Sequence, residues 1–271
     1  MAGGGTIRVG IGGWTYAPWR GTFYPPGLPH ARELEYAAAH VSAIEINATG
    51  YRLQSRESFA RWGRAVPDGF VFAIKASRFC TNRKVLGEAG ESIAKFVAQG
   101  FTELGDRLGP ILWQFAATKR FDPDDFAAFL ALLPSAHDGV TLRHAIEPRH
   151  ESFRDAAFVA MARAAGVAIV FADSPDYPVI PDLSGDFVYA RLQDQREEEA
   201  AGYAPLALDR WAETARAWAC GAAPAGLPYV VPAAMEQPRP AGPRNVFVFM
   251  INGAKVRAPA AAMALAERLR G

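Results

Sequence analysis

The chain has 271 residues, half of them hydrophobic, with 29 Lys and Arg against 28 Asp and Glu and a formal net charge of +1. That balance excludes a global attraction to nucleic acid or anionic lipid, and no apolar run reaches the roughly 18 residues that a membrane-spanning helix needs. Two distant cysteines, Cys80 and Cys220, and a first segment without the basic and apolar regions of a secretory signal lead us to expect a cytoplasmic protein.

The first apolar run, Ile7–Ile11, predicts a strand. The turn after it, Gly10-Ile-Gly-Gly-Trp14, is not a dinucleotide fingerprint, because Trp14 stands where a pyrophosphate needs bare backbone. An insertion over residues 12–29 follows, then a helical face of Leu34, Ala38 and Val41. Ala43–Ile46 reads as the second strand, and Ser55 can cap a helix that turns Phe59, Trp62 and Val66 to one side. Phe70–Ile74 is the third strand, and Ile93, Phe96, Val97, Leu104 and Leu108 predict the longest helix. Ile111–Trp113 comes fourth, with Asp122-Pro123 opening a helix whose stripe is Phe126, Phe129, Leu130 and Leu133. His144–Ile146 is fifth, and a helix over Arg154–Ala165 ends at Gly166. After the sixth run, Ala168–Phe171, the prolines Pro175, Pro178 and Pro181 predict a connection without a helix. Phe187–Ala190 is seventh, and Asp209 precedes a helix with Trp211, Ala215 and Trp218 inward. A Pro- and Ala-rich insertion, residues 222–244, is expected as a surface excursion on the face away from the site. Val246–Ile251 is the eighth strand, and Pro259 starts a last helix that runs to Gly271.

Eight apolar runs, most of them nearly continuous, alternating with about seven helical patterns predict a single α/β domain over residues 1–271, a (β/α)₈ TIM barrel. The alternative is an open doubly wound sheet, which the missing phosphate turn disfavours. In a barrel the ligand site lies at the carboxyl ends of the strands, and here those ends are polar. Glu45 and Asn47 close strand two, Lys75 strand three and Gln114 strand four. Glu147, Arg149 and His150 follow strand five, Asp173 strand six, Arg191 strand seven and Asn252 strand eight. Charged side chains are rarely buried unless paired, so these residues predict one connected polar network and with it a ligand site. Trp14, Tyr16 and Trp19 in the first loop, and Tyr51 after strand two, are candidate rings for a flat ligand.

Taken in order, several segments resemble a known family. They are Gly-Gly-Trp14-Thr-Tyr16-x-x-Trp19-Arg-Gly-x-Phe-Tyr-Pro, Glu45-Ile-Asn47-Ala-Thr-x-Tyr51, Phe72-Ala-Ile-Lys75, Gly-Pro-Ile-Leu-Trp-Gln114-Phe, Glu147-x-Arg149-His150, Ala172-Asp173-Ser-Pro and Phe-Val-Tyr-x-Arg191-Leu. From about residue 7 to 270 the chain is similar to the domain-of-unknown-function 72 proteins, the YecE-like family. The resemblance implies a TIM barrel and no defined activity. Family members tend to have Arg-Leu-His-Gly after strand seven and Asn-Asn-Asp after strand eight. This chain has Arg191-Leu-Gln193-Asp194 and Asn252-Gly253-Ala254 instead, so two acid-base or ligand groups are missing.

The chemistry then narrows. Five histidines, of which only His150 follows a strand end, are too few for a multi-zinc centre. Lys75, Arg149 and Arg191 would supply the positive charge that a metal otherwise brings, so no metal and no other cofactor is expected. A glycosidase needs two carboxylates across the mouth. The ends of strands four and seven, where barrel glycosidases carry them, hold Gln114 and Arg191. The cations instead predict a site for a small anionic or sugar-like ligand, with Lys75, Glu147 and Asp173 as catalytic candidates on a phosphate-bearing substrate. For Lys75 an ion pair with Glu45 or Glu147 is the expected arrangement. The second reading is a non-catalytic nucleic-acid or nucleotide-binding protein that uses the same mouth. No sequence feature speaks to oligomeric state.

Overall fold

The computed structural model describes residues 4–232 and 242–271. In chain order the strands are β1 (Ile7–Gly12), β2 (Ala43–Ile46), β3 (Val71–Lys75), β4 (Leu108–Gln114), β5 (Ala136–His137), β6 (Val140–Thr141), β7 (His144–Glu147), β8 (Ala168–Asp173), β9 (Phe187–Leu192) and β10 (Asn245–Met250). Eight of them close into a parallel barrel in the order β1-β10-β9-β8-β7-β4-β3-β2, and all eight predicted runs are in it. The pair β5–β6 is a small antiparallel hairpin that turns through Asp138 and Gly139, both at positive φ. Sequence patterning did not reveal it, because two-residue strands carry no period.

The helices are α1 (Glu33–Ala38), α2 (Arg56–Arg64), α3 (Arg78–Thr81), α4 (Gly90–Val97), α5 (Pro123–Ala131), α6 (Ala156–Ala164), α7 (Pro205–Ala219) and α8 (Ala258–Arg270). Ser55 caps α2 by accepting from the Ser58 amide, and Asp122 caps α5 through the amides of Asp124 and Asp125. The apolar stripe that predicts one long helix up to Leu108 is divided in two. The chain turns left-handed at Gly100 (φ 96°) and again at Gly105 (φ 55°), so α4 stops at Val97 and Leu108 opens β4. The longest helix is α7, with Pro205 at its first position and Asp209 inside it rather than before it. Residues 233–241 of the 222–244 insertion lie outside the described residues. Its described ends are tied to the β8–β9 connection: the Asp182 carboxylate accepts from the amides of Val230 and Val231, and Arg244 donates to the Gly185 carbonyl. Among the described residues no helix is long and apolar enough to cross a membrane.

Side-chain parity sorts each strand into an inner and an outer set. Ala43, Val71, Ala73, Leu112, Ala145, Ala168, Val170, Phe187, Tyr189, Phe247, Phe249 and Ile251 form the barrel interior. Its filling is lopsided. Neighbouring strands β9 and β10 bring four rings, while β2, β3, β7 and β8 face them with alanines and valines. The outer set packs against the helices, where Trp113 lies between Phe96 and Phe129. The Trp113 indole donates to His144 Nδ1, and the other His144 nitrogen lies 2.8 Å from the Pro134 carbonyl. Burial lowers the pKa of this imidazole, so His144 is a neutral structural group.

Gly10 faces the same crowded interior from β1. A Cβ there would meet the Ala43 carbonyl oxygen at 2.2 Å and the Phe249 ring at 3.0 Å. Gly10→Ala should therefore lower the stability in urea by about 1–3 kcal/mol, the range for overpacking. An unchanged midpoint would show that β1 shifts freely against β2.

Candidate functional site

The same parity that fills the barrel builds its mouth. Glu45 stands two residues beyond Ala43, Lys75 beyond Ala73, Gln114 beyond Leu112, Glu147 beyond Ala145 and Arg191 beyond Tyr189. These five side chains form the next layer up, at the carboxyl ends of their strands.

Arg191 is the hub and is 1% exposed. Its Nε and one terminal nitrogen each lie 3.1 Å from an oxygen of Glu45, and its other terminal nitrogen donates to Oε2 of Glu147. The Tyr189 hydroxyl donates to Glu45 Oε2 at 2.7 Å, Gln114 donates to Glu147 Oε2 at 2.9 Å, and Arg149 Nε reaches Glu147 Oε1 at 3.1 Å. All four carboxylate oxygens are engaged, and both carboxylates are fully buried. Burial alone would push the Glu147 carboxyl up, but Arg191 and Arg149 outweigh it and hold the group below the usual carboxylate range. Burial likewise works against the Arg191 cation, and Glu147 and Glu45 more than reverse this. Tyr189 is held protonated by burial and by Glu45.

The expected ion pair of Lys75 is not formed. Arg191 and Arg149 occupy both carboxylates, and among the described residues Lys75 Nζ has neither a hydrogen bond nor an ion pair. Its Nζ lies 5.9 Å from the centre of the Tyr51 ring. Desolvation, reinforced by Arg191, lowers its pKa against the pull of Glu45 and Glu147. A second amine comes from Lys255, in the loop between β10 and α8. It lies 4.6 Å from the centre of the Tyr16 ring and 5.9 Å from that of Trp19, and burial lowers its pKa although Glu45 opposes this. The quartet Glu45, Glu147, Arg191 and Arg149 is neutral, so these two amines leave the mouth with a surplus of positive charge.

The remaining predicted residues divide. Trp19 is fully buried, with its indole donating to the Lys255 carbonyl at 2.9 Å, and so holds the Lys255 loop in place. Trp14 packs edge-on against Trp62 of α2 and Phe72 of β3, in the outer layer rather than over the mouth. Asn47 turns back to the Glu45 carbonyl. His150 accepts from the Ser152 amide and caps the turn at residues 151–153, a local role. Asn252, left-handed at φ 62°, donates to the side chain of Gln193. Asp173 does not join the hub. It has the parity of Phe171, which packs on Trp211 and Trp218, and it accepts from the Tyr203 hydroxyl at 3.0 Å. Burial, with some help from Asp194, raises its carboxyl to about 6. Sequence reading missed Tyr189, Lys255 and Tyr177, whose ring lies 4.2 Å from the Arg149 guanidinium. Only Tyr189 carried a usable signal, its place two residues before Arg191. Among the described residues no three His, Cys, Asp or Glu side chains gather as metal ligands.

Two outcomes follow from this wiring. Glu147→Gln removes one of two counter-charges from a buried Arg191 and should cost about 3–5 kcal/mol of unfolding free energy. A loss below 1 kcal/mol in denaturant titrations would mean that the hub is not a buried ion network. Asp173 has its folded pKa raised to about 6, against roughly 3.9 unfolded. The folded state therefore binds the extra proton, and this contribution to stability is full below pH ~4 and lost as pH rises through ~6. Relative to the parent, Asp173→Asn should thus gain melting temperature between those limits. A pH-independent difference would sink this assignment.

The family model described as "Protein of unknown function DUF72" matches residues 8–271. The structure is similar over 98% of the chain to a DUF72 family protein from Thermotoga maritima, with TM-score 0.75, 22% identity and 100% of that chain covered. It is also similar to a DUF72 family protein from Enterococcus faecalis, with TM-score 0.66, 17% identity and 98% and 96% of the two chains covered. A shorter match, 26% identical over 78 residues, links 29% of the chain to the UPF0759 protein YunF of Bacillus subtilis. That stretch spans 27% of the relative's length.

Proposed function

This chain belongs to the DUF72 family, and from the charge balance of its barrel mouth we propose that the mouth binds a small anionic ligand bearing phosphate or carboxylate. The observation that carries this reading is the pair of surplus amines. Lys75 Nζ has no hydrogen bond or ion pair among the described residues, and Lys255 is half-buried against aromatic rings. An unpaired, partly desolvated cation costs free energy in the absence of a counter-charge. An arriving anion would provide that counter-charge. The Glu45–Arg191–Glu147 frame serves as a fixed floor, and Gln114, which lines the same pocket of about 180 Å³ as Lys75, brings a polar amide.

Any catalysis at this floor falls to Lys75. The oxygens of Glu147 are saturated by Arg191, Gln114 and Arg149, which leaves the carboxylate poorly placed to take a proton. The burial that lowers its pKa would make this amine a better base or nucleophile than an exposed lysine. Hydrolysis of a sugar by paired carboxylates loses support for the same reason, since Arg191 clamps both.

Inorganic phosphate is the simplest probe. The melting temperature of the parent protein should rise with phosphate, by the linkage that yields about 2.7 kcal/mol at 100 Kd. Lys75→Gln and Lys255→Gln should each need at least tenfold more phosphate for the same shift, with no loss of melting temperature in its absence. Identical phosphate responses in all three proteins would refute the reading, as would no response in the parent.

A further inference from the structure

The pocket that holds Lys75 does not end at the mouth. Asn82 lines both it and a neighbouring open cleft of about 770 Å³, formed by the loops that follow β3 and β4. Arg83, Lys84, Lys119 and Arg120 line this second cleft against a single acid, Asp122. Their roles differ. Arg83 is spent on the Phe79 and Glu88 carbonyls and the Ser92 hydroxyl, and Lys119 on Asp125 and the Lys84 carbonyl. The Asp122 carboxylate faces the first amides of α5. Lys84 and Arg120 are exposed and carry no side-chain partner among the described residues. Arg78, also exposed, lines the first cavity four residues before Asn82, which lines both.

Large apolar side chains are exposed on the loops that supply these linings. Tyr51 (64%), Leu53 (52%), Phe79 (62%) and Val85 (41%) all belong to the loops after β2 and β3. Two of them are rings. Tyr51 lines the mouth pocket beside Lys75, and Phe79 lies under the Arg78 guanidinium at 5.7 Å. A row of cations with exposed aromatic faces beside it is the chemistry that holds single-stranded nucleic acid, with phosphates on the cations and bases on the rings.

We propose that the cleft running from Lys75 past Arg78 and Asn82 to Lys84 and Arg120 is a track for a single strand of nucleic acid, with Tyr51 and Phe79 as stacking platforms. Its end in the mouth rests on the anion site proposed above, whereas the outer cations and Phe79 stand apart from that site.

The test is fluorescence anisotropy of an end-labelled oligothymidylate across a salt series, with the matching duplex and inorganic polyphosphate as competitors. The parent should bind the single strand with an affinity that falls by roughly 0.7 log units per log unit of salt for each phosphate neutralised. The double variant Lys84→Gln/Arg120→Gln should weaken binding at least tenfold and make that slope shallower by roughly 1.4. Phe79→Ser should weaken binding about tenfold with the slope unchanged, as expected for a lost stack. All three side chains are exposed, and equal melting temperatures would confirm that the variants fold. The track is overturned if the parent does not bind at low salt, or if these variants bind as the parent does. It is also overturned if the duplex or polyphosphate competes as well as the single strand. A phosphate-dependent melting shift that persists while the oligonucleotide fails would sink the track and leave the mouth site standing. Track-dependent binding without the phosphate response would do the reverse.

Discussion

Arg191 lies in the barrel between two carboxylates from opposite stretches of the chain, and the arrangement of the mouth follows from how it is satisfied. A guanidinium offers five donors in a flat fork, and three of its nitrogens are taken by Glu45 and Glu147. One cation cannot balance two buried anions, so Arg149 is drawn onto the free oxygen of Glu147 and the Tyr189 hydroxyl onto Glu45. The desolvation cost of such a cluster is large and is offset only when every lone pair finds a partner. That requirement explains why the carboxylates are unavailable to Lys75.

Bonded arginines and unbonded amines divide the mouth between them. The arginines are bound into the frame, while the amines of Lys75 and Lys255 sit at the ends of flexible stems and keep their hydrogen-bonding capacity. Beyond them the loops after β3 and β4 repeat the pattern. Arg83 and Lys119 hold the loops together, and Lys84 and Arg120 stay exposed without a side-chain partner among the described residues. In both places the residue that builds the wall is distinct from the one proposed to meet a ligand.

Much of the architecture was legible from sequence, because strands buried on both faces read as apolar runs and barrel geometry assigns their polar ends to one mouth. Which charges pair was not. Glu45 and Arg191 are 146 positions apart, and Lys75 lost the expected partner to an arginine whose reach depends on the closed sheet. Asp173 was misplaced by a single step. Ala168 and Val170 point inward, so period two turns residue 173 outward, and a slip of one residue changes the face. Lys255 and Tyr177 escaped because they lie beyond strand ends, where periodicity says nothing about direction. Trp14 and Trp19 were legible as aromatic and illegible as core, since only packing tells a buried ring from a waiting one.

The indole of Trp19 donates to the carbonyl of Lys255 across 236 positions, bridging the loop after the first strand and the loop after the last. Between those loops runs the β1–β10 ladder, the seam at which the barrel closes. One of the two amines is thus carried just beyond the strand that closes the barrel. During synthesis, a chain that has not yet delivered β10 has an open sheet edge and no Lys255 at its mouth. Closure of the barrel and delivery of the second amine to its mouth are therefore one event.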